Sequence, residues 1–134
     1  MDEDDRRAAV EAHHAASARG DLEAVHAIYH DDVVVSYPQS GEVIHGLADL
    51  KALRAAYPAK LDFTVSRIQG AGELWLSEYI IRYDGAPVHV VGIMKFDGEK
   101  VSRETLYFAD PFEPPAWRAQ WVERFDPREP EASP

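Results

Sequence analysis

Residues 20–35 read GDLEAVHAIYHDDVVV, and the fold turns on how apolar residues are spaced along this stretch. Leu22, Val25, Ile28 and Tyr29 recur at the 3.6-residue period of a helix. Asp21 stands where an N-cap is needed, and Glu23 in the first turn complements the helix dipole. After His30-Asp31-Asp32 the pattern becomes Val33-Val34-Val35-Ser36-Tyr37. That β-branched run reads as a strand, ended by Pro38.

Upstream, residues 5–19 form an Ala-rich helix with Val10 and small residues on one face, and Gly20 supplies a left-handed stop. Downstream, residues 42–44 are a short extended piece. Leu47, Leu50 and Leu53 mark a third helix, closed by Tyr57-Pro58. Strands are expected over 61–69, 73–83, 88–97 and 100–109. Asp84-Gly85 and Asp97-Gly98 separate the last three, and Asp-Gly offers the positive φ angles of tight hairpins, so this stretch reads as an antiparallel meander. Helices first and strands later indicate an α+β domain rather than a parallel α/β sheet.

From Asp110 the character changes. Six of the nine prolines lie beyond it, and Trp117, Trp121 and Phe125 recur every fourth residue. A short amphipathic helix would dock these rings on the sheet. They are equally suited to a lid over a pocket or a dimer seam. Residues 126–134 read as a disordered tail, which leaves 1–125 as the domain.

With 134 residues, 46% apolar and 28% charged, the chain has the size and composition of one globular domain. A net charge of −10 argues against nucleic acid and anionic membrane surfaces as partners. The absence of cysteine excludes disulfides, thiolate metal sites and a cysteine nucleophile. No apolar run reaches the ~18 residues of a membrane span, and MDEDDRR is no signal sequence, so a cytoplasmic location is expected. No phosphate loop, dinucleotide fingerprint or nucleophile elbow is present; Gly70-Ala71-Gly72 is a turn between strands. His26 and His30 have the i, i+4 spacing that grips zinc on a helix, but no third ligand is evident. Neither metal nor cofactor is expected.

Taken in order, GDLEAVHAIYHDDVVV, IHGLADL, EYIIRYDG and VVGIMKFDGEKVSRETLYF resemble the nuclear transport factor two-like (SnoaL-like) superfamily over roughly residues 5–109. The resemblance implies three helices on a strongly curved, mostly antiparallel sheet, forming a cone whose open end is a pocket. It also implies frequent homodimers through the outer sheet face. Members include ketosteroid isomerases, polyketide cyclases, limonene epoxide hydrolases, dehydratases and binding modules, so fold alone does not fix function. Where the isomerases carry an aspartate base before the strand-ending proline, this chain has Tyr37. Where they carry a protonated aspartate it has Gly92, and His13 replaces their first-helix tyrosine. The resemblance therefore does not carry that mechanism over.

It does orient the strands. Phe108 matches an active-site tryptophan of the isomerases, and strand alternation then turns Leu106 and Glu104 to the same concave face. A carboxylate in an apolar cleft has its pKa raised by desolvation and suits proton abstraction or hydrogen-bond donation; the plain alternatives are an arginine partner or a bulge that turns it outward. Tyr37 would donate its hydroxyl to a ligand oxygen or serve as a core aromatic. His13 is a candidate acid/base group or a structural histidine, and His14, about 100° away around the helix, should not act with it. Trp75, Ser77, Tyr79 and Ile81 share the concave face, so Trp75 and Tyr79 line the pocket or fill the core. Glu78, Arg82 and His89 point outward. The expected ligand is a small, mostly apolar organic molecule.

Overall fold

A computed structural model describes residues 1–57 and 59–131. The closing of the third helix by Pro58, and the last residues of the tail, 132–134, lie outside the described residues. The elements follow in the order α1 (Glu3–Arg19), α2 (Leu22–His26), β1 (Tyr29–Tyr37), β2 (Glu42–His45), α3 (Leu47–Ala55), β3 (Leu61–Ala71), β4 (Leu74–Tyr83), β5 (Ala86–Asp97) and β6 (Lys100–Ala109). A short 3-10 helix follows at Ala116–Trp121.

The junction read from residues 20–35 is present. Gly20 ends α1 in the left-handed region at φ 73°, and Asp21 caps α2 by accepting from the Ala24 amide at 3.1 Å. The helical stripe, however, stops short. Ile28 and Tyr29 are not in α2; Tyr29 opens β1, where it sits beside Val101 of β6. A register shift between Tyr29 and Val34 puts a bend in the strand just where the local pattern is ambiguous.

Six strands form one open sheet in the order β2-β1-β6-β5-β4-β3. Among the described residues only the β1–β6 pair is parallel; the other four neighbouring pairs are antiparallel. The β4–β5 turn has positive φ at both Asp84 (50°) and Gly85 (88°), as a tight hairpin requires. Further register shifts, with an extra residue on β3 between Val65 and Arg67 and on β6 between Val101 and Arg103, bend β3 and β6. This architecture is the expected α+β fold with N-terminal helices on a mixed, mostly antiparallel sheet.

The core lies between the helices and the concave face. Val10 of α1, Val33 and Val35 of β1, Leu50 of α3, Phe96 of β5 and Val101 of β6 are inaccessible to solvent. The convex face is partly covered by the chain's own end. Arg82 donates to the Arg128 carbonyl and to Glu129, and His89 bonds the Pro127 carbonyl at 2.7 Å. Ile80, on that outer face between them, is correspondingly only 1% exposed. The aromatic segment before it does not dock. Trp117 and Trp121 are 73% and 71% exposed in the 3-10 helix, so the expected packing of these rings on the sheet is not found. Neither ring lines the cavity described next.

No helix among the described residues is long and apolar enough to cross a membrane.

Candidate functional site

Between the helices and the concave face lies a cavity of about 1210 Å³, above the ~300–1,000 Å³ of most small-molecule sites. Its wall is apolar and aromatic along β3, β4 and β6, with Phe63, Ile81, Leu106 and Phe108. The buried His13 and His14, with the half-buried Arg54 and Tyr79, form its inner end.

Glu104 faces the concave side, as strand alternation requires, between Val35 of β1 and Met94 of β5. It is only 3% exposed and does not form part of the cavity wall. The Tyr29 hydroxyl donates to Glu104 Oε1 at 2.8 Å. Arg54 reaches the same oxygen with Nη2 at 3.4 Å and donates to the Tyr29 hydroxyl with both Nη1 and Nη2 at 3.2 Å. The guanidinium also lies over the Tyr29 ring, 5.3 Å from its centroid. A closed triangle of carboxylate, phenol and guanidinium results. The lone carboxylate in an apolar cleft is thus corrected to a paired one, because a buried charge is tolerated only with a partner and hydrogen bonds. Burial pushes the Tyr29 hydroxyl well above its usual range, so it stays protonated and donates. Burial works against the Arg54 charge, but Tyr29 and Glu104 outweigh it and raise its pKa.

His13 and His14 are both buried and both line the cavity. His13 bonds the Val25 carbonyl through Nδ1 at 2.9 Å. A carbonyl only accepts, so Nδ1 carries the hydrogen and Nε2 keeps the lone pair of the neutral ring. His14 Nε2 bonds Ser77 Oγ of β4 at 2.9 Å. Desolvation is the main reason that both rings are lowered to about 4; Arg54 adds to it for His13, and His13 adds to it for His14. The expected separation of the two does not hold. Their rings meet edge-on with centroids 5.1 Å apart, although His13 bonds α2 and His14 bonds β4.

Tyr37 lines the cavity beside Phe108, with ring centroids 5.9 Å apart, and burial raises its hydroxyl pKa. Tyr79 also lines it and stands 5.0 Å from the His14 ring. Trp75 does not. It is buried under Arg7, whose guanidinium lies 5.0 Å from the ring, and its indole N–H donates to the Gly72 carbonyl at 3.1 Å. Its place near the β3–β4 turn puts it beyond the cavity's end, so the ligand-contact reading of Trp75 is corrected to core packing. Gly92 sits behind Leu106 and Tyr79. A Cβ there would stand 3.2 Å from Leu106 Cδ2, so any side chain at this position would require the Leu106 side chain to shift.

Sequence reasoning missed Arg54, Tyr29 and Ser77 as members of this cluster, and it set His14 aside. A signal for Arg54 existed: Leu47, Leu50 and Arg54 fall at i, i+3 and i+7, which is one face of α3. The proposed histidine pair dissolves, since His26 lies in α2 and His30 in β1, where His30 Nε2 bonds the Asp97 carbonyl at 2.7 Å. Among the described residues no group of three His, Cys, Asp or Glu is placed to hold a metal ion.

The family model of the SnoaL-like domain matches residues 10–104. An NTF-2 like protein of unknown function from Burkholderia xenovorans LB400 is 52% identical, with 94% of this chain and 99% of that one covered and a TM-score of 0.86. A Kribbella flavida DSM 17836 protein, assigned provisionally as a ketosteroid isomerase, is 25% identical over 92% and 91% of the two chains, with a TM-score of 0.84. An LEH-like epoxide hydrolase of M. tuberculosis shares the fold at 24% identity, with 78% and 82% covered and a TM-score of 0.64. No curated protein matches. With this match over residues 10–104 and this geometry, the chain belongs to the SnoaL-like, NTF2-like family.

Proposed function

We propose that the cavity binds a small, mostly apolar organic molecule bearing a carbonyl or hydroxyl oxygen, and performs cofactor-free proton chemistry on it of the isomerase, cyclase or dehydratase type. The observation that carries this reading is His13. It is a neutral imidazole of fixed tautomer, with the half-buried Arg54 guanidinium also at the inner end of a largely apolar cavity. A base that is unprotonated near neutrality, next to a cation able to steady a developing oxyanion, is the minimum needed to move a proton next to a carbonyl. His13 Nε2 would take the proton, and Arg54 and the Tyr37 hydroxyl would hold the oxygen. Tyr79, Leu106 and Phe108 would shape the cavity. Glu104 would orient Arg54 and Tyr29 without touching substrate. The Kribbella relative's assignment is in keeping with this chemistry.

The test is hydrogen–deuterium exchange at the methyl group of methyl naphthyl ketone in heavy water, followed by mass spectrometry. Wild-type protein should accelerate exchange, and His13→Gln should lose about 10²-fold or more of that rate. Exchange that survives His13→Gln removes His13 from the mechanism.

A second reading is a binding module without turnover. The pairing of Glu104 with Arg54 and Tyr29 favours it, because that carboxylate is already engaged. Binding without any exchange would decide for it. We also propose that the protein is a homodimer through the convex sheet face, where Leu74, Leu76, Val91 and Tyr107 are exposed.

A further inference from the structure

The fixed charges that line the cavity are few. Arg54 stands at the inner end; Glu42 and Asp110, both exposed, stand at the rim. Glu104, behind the wall, neutralises Arg54. The two histidines at the inner end are uncharged near neutrality, since both are lowered to about 4. Burial keeps the Tyr37 and Tyr79 hydroxyls protonated. The buried end of the cavity therefore sums to zero charge.

In a desolvated site that balance matters. A charge without its own counter-charge is costly in the interior. A carboxylate ligand would put a second anion on the single guanidinium, beside Glu104, after passing Glu42 and Asp110. A neutral oxygen asks for no counter-charge. Arg54 can serve it, because its contacts to Tyr29 and Glu104 use only Nη1 and Nη2 and its side chain is 20% exposed.

We propose that the Arg54–Glu104 pair makes the cavity charge-balanced, so that it selects uncharged oxygen-bearing ligands over carboxylates, and that Glu104 sets this preference. The proposal rests on the cavity being a small-molecule site. Glu104 is then a specificity residue acting through Arg54: removing its charge turns the same cavity into an anion site.

The experiment compares two probes of similar shape, methyl naphthyl ketone and naphthoate, by calorimetric titration near pH 7 at fixed ionic strength. Wild-type protein should bind the ketone about tenfold or more tightly than naphthoate. Glu104→Gln keeps an oxygen to accept from Tyr29 but leaves Arg54 unbalanced. Its preference for the ketone should be lost, with naphthoate gaining about tenfold or more. Arg54→Gln should lose naphthoate and weaken the ketone. If Glu104→Gln does not fold, Arg54→Gln and the double variant Arg54→Gln/Glu104→Gln carry the test, and naphthoate should bind the single variant about tenfold more weakly than the double. Naphthoate binding wild type as tightly as the ketone, or an unchanged preference in Glu104→Gln, overturns the charge-balance proposal and leaves the small-molecule site standing. If neither probe binds wild type or any variant, the site reading fails and this proposal fails with it.

Discussion

His13 and His14 are consecutive on α1, yet each finds a different buried partner, Val25 on α2 and Ser77 on β4. Burying a neutral imidazole is cheap; burying its protonated form is not. Both rings are lowered from an ordinary 6.5 to about 4, so between those values the unfolded chain binds more protons than the folded one. Stability is therefore full above pH 6.5, falls as pH falls through that window, and the loss is complete below about 4. Each ring accounts for about 3 kcal/mol at most. Urea midpoints followed across the window should fall steadily in the wild type and more shallowly in His14→Gln. A flat wild-type profile would contradict the burial of neutral histidines. Arg54 makes the complementary point. A lone arginine on an apolar helix face needs a counter-charge, and Glu104 on a strand far away in sequence provides it.

At the scale of elements, the β3–β4 hairpin shows how little slack the core has. Gly70 pairs with Trp75 across the hairpin. A Cβ at Gly70 would stand 2.5 Å from the Leu74 carbonyl oxygen and 2.5 Å from Trp75 Cδ2. The first of these is backbone and the second is a buried ring held by its bond to Gly72 and by Arg7, so neither can yield easily. Gly70→Ala should destabilise by about 1–3 kcal/mol, read from denaturant unfolding, while cavity probes still bind the folded fraction. A change below about 0.5 kcal/mol would show that the hairpin relaxes freely. The segment after β6 behaves differently. It leaves the sheet at Ala109, opposite His89, and returns to His89 at Pro127. The intervening excursion carries Phe112, Trp117, Trp121 and Phe125 on its surface.

For the whole molecule, those exposed rings and the apolar residues of the convex face are the features that a single copy leaves unsatisfied. The proposed homodimer predicts a mass of twice 15.0 kDa by light scattering. Val91→Lys, at the centre of the convex face, should shift the protein to monomer without disturbing the cavity on the opposite side of the sheet. A wild-type monomer at micromolar concentration would remove the proposal. The family and the strand order are consistent with several activities, so turnover and assembly need these measurements.

Much of this was legible in residue order. The Gly20-Asp21 junction, the Asp84-Gly85 hairpin and the sharing of one strand face by Glu104, Leu106 and Phe108 follow from local rules of capping, turn geometry and period-two alternation. Those rules act over a few residues, so a linear reading reaches them. The helical period of Leu22, Val25 and Ile28 places Tyr29 in a helix, but its ladder with β6 and its bond to Glu104, 75 positions away, override that local preference. Trp75 shared a face with Tyr79, but alternation says nothing about where along the strand the cavity ends. The sequence by itself determined which residues share a face of each strand, and the family resemblance turned the face that carries a carboxylate to the concave side. Only the tertiary structure decided what meets that carboxylate. Burial of charge is balanced in space, and the guanidinium and phenol that balance it arrive from elements whose meeting no local pattern encodes.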